Sequence, residues 1–207
     1  SVQRVGGSTS PSALSCRMQI IKLLDRMLQQ QRIKRVRHHV RSEDTVLDFG
    51  CFDGQLFKTL GHLMAGGIGI DSDPSIEGCF DGIGENFQFL SGGLELLTRE
   101  NLPKIDLVVA LAVIEHLHET QIRDFALRLG SLVEPSGRML LTIPHPFVDK
   151  IVAAGISLHL LAGADFDSHH GLKPLVASNI IQSSGWVLKS WKKFQLGLNN
   201  EFLFIRS

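Results

Sequence analysis

Short runs in which nearly every residue is apolar alternate along this chain with longer stretches in which apolar residues recur every three or four positions. Thr45 to Phe49 is the first short run and stops at Gly50. Gly69-Ile70-Asp71 closes a second, Phe87 to Leu90 is a third and Asp106 to Leu111 a fourth. Gly137 to Ile143 is the fifth, halted by Pro144 and Pro146. Between them, Gln55 to Met64 and Thr120 to Val133 read as helices, the latter through Ile122, Phe125, Leu127, Leu129 and Leu132. Strands without polar alternation are buried on both faces, so the pattern predicts a parallel sheet covered by helices on both sides. Right-handed crossovers then leave a doubly wound α/β topology.

The two ends of the chain read differently. Ser10-Pro11 has the chemistry of a helix start, and Leu14, Met18, Ile21, Leu24 and Leu28 follow at helical spacing toward His39. The expected organisation is a flexible tail over 1–10 and one domain over 11–207, opening with a helix over 11–39. Phe147 to Ala162 is apolar and helical in pattern, and Gly163 to Gly171 is a loop holding Asp165, Asp167, His169 and His170. The stretch 147–171 is expected either to cap a pocket or to be a plain packing helix. Pro174 to Ser184 suggests another helix. Trp186 to Gln195 and Asn200 to Ile205 read as strands joined near Gly197, an antiparallel pair at the end of the sheet.

Charge narrows the choice of partners. Lys plus Arg and Asp plus Glu each number 21, so no global field draws in nucleic acid or anionic lipid. The cluster Arg32, Lys34, Arg35, Arg37 and Arg41 is expected to be a solvated helix face. Cys16, Cys51 and Cys79 form no disulfide framework and no zinc-binding pair. No apolar run reaches membrane-spanning length and no signal-peptide pattern opens the chain, so the expected location is cytoplasmic, with no membrane partner.

Candidate chemistry gathers at Val46-Leu47-Asp48-Phe49-Gly50-Cys51-Phe52-Asp53-Gly54, a strand running through a glycine turn into a helix. Such a turn brings backbone close to a ligand outside the carboxyl ends of the strands. Asp71 ends the next strand, where an acid can accept hydrogen bonds from ribose hydroxyls. A nicotinamide-dependent dehydrogenase shares these features, but Gly50 and Gly54 lack the Gly-x-Gly-x-x-Gly spacing.

With these motifs the chain resembles the class I S-adenosyl-L-methionine-dependent methyltransferases. Asp48 to Gly54 matches the family's acidic-x-Gly-x-Gly-x-Gly turn, and Gly69-Ile70-Asp71 its ribose-binding strand end. Asp106 to Leu117 resembles the fourth strand and following loop, Gly137 to Thr142 the fifth strand, and Gly185-Trp186 with Asn200 to Phe204 the closing strands. The resemblance implies a seven-stranded sheet of order 3-2-1-4-5-7-6, strand 7 antiparallel. It implies S-adenosyl-L-methionine bound by Asp48, Gly50, Cys51, Phe52, Gly54, Asp71, Ser72, Ser91, Gly92, Leu111 and Ala112. Asp48 would orient the turn or reach the cofactor's amino group. Glu115, His116 and His145 are the catalytic candidates, with loop fixation the other role for His116.

Two departures stand out. Phe52 occupies the place of the middle glycine, and Leu90-Ser91-Gly92-Gly93 lacks the acid often found after strand three. Relatives that methylate small-RNA 2′-hydroxyls or ubiquinone precursors carry Glu-x-x-Glu-His after strand four. Here the first Glu position is Ala112, which leaves Glu115 and His116 with His145 or His169, and no metal is expected. The expected partner is a small organic methyl acceptor rather than nucleic acid, with the chain a monomer or homodimer. The alternatives are a non-catalytic binding module and a metal-assisted RNA 2′-O-methyltransferase.

Overall fold

The computed structural model describes residues 26–74, 82–145 and 173–207. The tail, the start of the first helix and the stretch 147–171 with His169 and His170 lie outside the described residues. Helix α1 covers residues 26–36 of the described chain. It is followed by β1 (Thr45–Phe49), α2 (Gln55–Leu60), β2 (Gly66–Asp71), β3 (Phe87–Ser91) and β4 (Ile105–Leu111). Then come α3 (Glu119–Leu132), β5 (Val133–Pro144), α4 (Pro174–Gln182), β6 (Trp186–Phe194) and β7 (Asn199–Arg206).

All seven strands form one sheet in the order β3-β2-β1-β4-β5-β7-β6. β1 to β5 run parallel, and β7 is antiparallel to both β5 and β6. The α/β doubly wound topology read from the sequence is therefore the observed one. Successive side chains of a strand point to opposite faces, and the two cores divide accordingly. Leu47, Val108, Ala110, Met139 and Leu141 join the larger core beneath α3 and α4. Val46, Leu107, Val109 and Leu140 join the smaller one with Ile33 and Val36 of α1 and Leu56, Phe57 and Leu60 of α2.

Three boundaries differ from the sequence pattern, the first being that α1 ends at residue 36 and its last expected residues, 37–39, form a turn. β5 begins at Val133 rather than Gly137, because Val133 pairs with Ile105 before a bulge shifts the register to Leu107–Arg138. The polar Glu134 to Ser136, with Ser136 at φ 69°, is that bulge and hides the strand start. Helix α2 ends at Leu60, and Gly61–Leu63 tightens into a 3-10 turn.

Candidate functional site

The site is built where β1 ends. Gly50 leaves the strand at φ 78°, and Phe52 and Gly54 also take positive φ, 44° and 67°. The N–H groups of Gly50 and Cys51 both donate to the Ile70 carbonyl, at 2.7 and 3.2 Å. Phe52 N–H donates to Asp71 Oδ2 at 2.9 Å, and Asp73 N–H to Asp71 Oδ1 at 3.1 Å. The turn after β1 is thus clamped to the end of β2, and one carboxylate organises both.

On the other flank, the segment after β4 bends at Ala112, φ 59°. Its N–H donates to the Thr142 carbonyl at 2.9 Å and to Thr142 Oγ1 at 3.1 Å. That bend brings Val113 against the glycine turn. A Cβ placed on Gly50 would stand 2.3 Å from Val113 Cγ2. Gly50 is therefore required by its conformation and by its neighbour together.

These strand ends open onto a cavity of about 1430 Å³. The β1 turn contributes Asp48, Gly50, Cys51, Phe52 and Asp53. The ends of β2 and β3 contribute Ile70, Asp71, Ser72, Gly92, Gly93 and Glu95. From β4 onward come Leu111, Ala112, Val113, His116 and Leu117, with Gln121 of α3. Helix α1 supplies Arg26, Leu28, Gln29, Arg32 and Ile33.

Most of the residues singled out in the sequence thus meet around one space, but four do not line it. Gly54 is the N-cap of α2. Ser91 ends β3 and is exposed. Glu115 is buried in the 3-10 turn Ile114–His116. His145 is exposed at the end of β5, its N–H donating to the Leu198 carbonyl at 2.8 Å.

The first acid after the Leu90-Ser91-Gly92-Gly93 stretch is Glu95, two residues on. Gly92, at φ 154°, and Gly93 turn the chain so that Glu95 reaches the cavity, where its Oε1 accepts the Gly93 N–H at 2.6 Å. Asp53 was also missed, as were Arg26, Gln29 and Arg32 of α1. The paired glycines were the available signal for Glu95. The α1 residues carried none, since only the fold brings them to the strand ends. Arg32 and Arg35 also depart from the expected solvated basic face: Arg32 lines the cavity, and Arg35 pairs with buried Glu201 of β7.

The cavity's charges are unevenly placed. Asp48 is buried, and that burial, with Asp71 and Asp53 nearby, pushes its carboxyl from 3.8 up to about 8. Burial, followed by Asp48 and Asp71, also pushes the Cys51 thiol up, so it stays protonated and unreactive. The Glu95 carboxyl is held below its ordinary value by the N–H groups of Gly93 and of Glu95 itself.

Helix α1 is tied down from several directions. Gln29 Nε2 donates to Asp53 Oδ1 at 3.0 Å, and Gln195 Nε2 to the Leu28 carbonyl at 3.3 Å. The Arg35 guanidinium pairs with Glu201 and lies 5.7 Å from the centre of the Phe194 ring. His39 Nε2 stands 3.6 Å from the other Glu201 oxygen. Burial alone would raise the Glu201 carboxyl, but His39 and Arg35 outweigh it and hold it at about 2.

No family model matches the chain. In sequence, it is 26% identical over 158 residues to the mitochondrial ubiquinone biosynthesis O-methyltransferase of Schizosaccharomyces pombe. The match covers 69% of this chain and 55% of that protein, so the chain spans about half the length of the curated relative. In structure, it is similar to magnesium protoporphyrin IX methyltransferase from Synechocystis PCC 6803 with bound SAH, at TM-score 0.65 and 18% identity over 97% of this chain and 90% of the other. A TehB-like SAM-dependent methyltransferase from Corynebacterium glutamicum gives TM-score 0.65 and 14% identity, covering 91% and 97%. N-methyltransferase NodS from Bradyrhizobium japonicum gives 0.61 and 15%, covering 88% and 98%. The fold is that of the class I S-adenosylmethionine-dependent methyltransferases. Among the described residues no helix is long and apolar enough to cross a membrane, and no group of three or more His, Cys, Asp or Glu converges as a metal site.

Proposed function

We propose that the chain is an S-adenosyl-L-methionine-dependent methyltransferase acting on a small organic acceptor. The observation that carries this reading is the glycine turn of β1 clamped to Asp71 beside the buried, proton-holding Asp48. A carboxyl raised by burial and by neighbouring acids is stabilised by a cation brought into the same space. A ligand with an ammonium and a sulfonium fits that demand. Asp71 retains lone pairs for ribose hydroxyls after accepting two backbone N–H groups. We assign the adenine to the side of Glu95, Gly92 and Gly93, which line the cavity after β3.

The electrophilic methyl group is the cofactor's chemistry, and the chain supplies orientation and an enclosed site. His116 sits in the 3-10 turn after β4, among the lining residues, and is the side chain suited to take a proton from an acceptor hydroxyl. Glu115 and Thr142 act behind it, Glu115 as the buried neighbour in the same turn and Thr142 by holding Ala112. RNA is the weaker acceptor class, because Lys plus Arg and Asp plus Glu balance at 21 each and leave no net positive field for a polyanion.

Titration calorimetry with S-adenosyl-L-methionine and S-adenosylhomocysteine tests the reading directly. Micromolar binding of both, lost in Asp71→Ala, is expected; no heat with either overturns it. Phe52, 58% exposed where the family has glycine, favours a second reading as a binding module without turnover. Binding without S-adenosylhomocysteine release on a panel of phenols, amines and carboxylic acids would select that second reading.

A further inference from the structure

We infer that the acceptor is an organic anion, seated beneath α1 with its negative group toward Arg26 and Arg32. This rests on the methyltransferase reading and names the substrate class for the same cavity. The space is larger than a nucleoside cofactor needs: about 1430 Å³, against the ~300–1,000 Å³ of ordinary ligand pockets. Its acids and its cations come from different elements. The acids Asp48, Asp53, Asp71 and Glu95 lie on the loops after β1, β2 and β3. Arg26 and Arg32 are the permanent cations among the described lining residues, and both stand on α1.

The register places α1's first turns at the reactive edge. Leu28 touches the β6–β7 connection through Gln195, and Gln29 touches the β1 turn through Asp53. The helix then descends past Arg35 and Glu201, level with Thr142 at the end of β5. The same ties brace the helix, so both guanidiniums are presented from a fixed support. Guanidinium groups match carboxylate and phosphate oxygens in geometry as well as charge.

The test uses the full chain saturated with S-adenosylhomocysteine and three probes of one shape: benzoate, phenyl phosphate and benzamide. Titration calorimetry should show either anion binding at least about tenfold more tightly than the neutral amide. A benzoate preference identifies a carboxylate acceptor and a phenyl phosphate preference a phosphorylated one. In Arg26→Gln/Arg32→Gln the anion preference should vanish while S-adenosylhomocysteine affinity stays within about threefold. R26K/R32K should keep part of the preference and serves if the glutamine variant does not fold. Equal binding of all three probes to the unmodified chain overturns the inference. So does loss of S-adenosylhomocysteine affinity in a folded Arg variant, which would assign the guanidiniums to the cofactor's own carboxylate. Repeating the titration without S-adenosylhomocysteine separates the two readings: a surviving anion preference with no cofactor binding would leave this site standing and the methyltransferase reading refuted.

Discussion

The two flanks of the cavity are made by different means. On the β1–β2–β3 flank the wall is shaped by main-chain geometry: left-handed residues at Gly50 and Phe52, two N–H groups on the Ile70 carbonyl and two on the Asp71 carboxylate. The α1–β4 flank is lined by residues brought from elements far apart in sequence: Arg26 and Arg32, His116 and Gln121. Main-chain surfaces constrain residue type at each position. Side-chain surfaces constrain only where the supporting elements pack. On the proposed reading, the first flank holds the cofactor and the second the acceptor.

The two flanks meet at Gly50 and Val113, and the largest effect is expected there. Gly50→Ala places a Cβ at positive φ and against Val113 Cγ2. Strain and overpacking together should destabilise the chain by about 4 kcal/mol and abolish cofactor binding. Val113→Ala in the same chain should recover about 1 kcal/mol by removing the clash but not the strain. Denaturant unfolding of the two singles and the double measures this. Strict additivity would mean that the flanks are not in contact there.

The second break concerns the support of α1. Glu201→Gln leaves the Arg35 and His39 partners without a buried anion and should cost about 3 kcal/mol. The pH dependence carries a sign. The folded carboxyl lies at about 2, below its ordinary 4.5, so its stabilisation is present above 4.5 and lost as pH falls from there toward 2. Melting temperature should therefore fall less steeply with acid in Glu201→Gln than in the unmodified chain. An identical acid slope would show that this ion pair does not hold the helix.

The same contrast explains what could be read before the structure. The glycine turn, Asp71 and the strand ends were legible because local backbone needs dictate glycine and acid at those places, whereas the strand order came only with the family resemblance. Glu95 was hidden by two residues of loop geometry, and the Val133 strand start by a polar bulge. Arg26, Gln29 and Arg32 were hidden altogether, since a helical face at residues 26–36 does not reveal which end of the sheet it overhangs. The basic stretch 32–41 read as a uniform exposed face, yet Arg35 faces Glu201, 166 positions away in the chain.

Within the main-chain flank, Asp71→Asn removes the charge that accepts the Phe52 and Asp73 N–H groups. S-adenosylhomocysteine affinity should drop on the order of a hundredfold, about 2.7 kcal/mol. His116→Ala, on the other flank, should leave that affinity unchanged and lower turnover. Equal loss of affinity in the two variants would erase the division of labour between the flanks.

The smallest effect is the most diagnostic of how the cofactor flank recognises charge. Asp48 sits at about 8 through burial first, then through Asp71 and Asp53, so near neutrality its carboxyl is mostly protonated in the free chain. Its folded value exceeds the ordinary 3.8, so its favourable contribution to folding is complete below 3.8 and is lost as pH rises through about 8. Asp48→Asn removes that loss, and its melting temperature should exceed that of the unmodified chain by more at about pH 9 than at about pH 6. If an ammonium of the cofactor meets Asp48, binding expels the proton. Affinity should then rise by up to about tenfold per pH unit below 8 and level off above it, with matching proton release in buffers of different ionisation enthalpy. Asp71→Asn takes away one of the charges that raise Asp48 and should move the levelling-off to lower pH. A flat affinity profile with no proton release would make Asp48 a neutral brace of the turn, and recognition on this flank would then fall to Asp71 and the backbone alone.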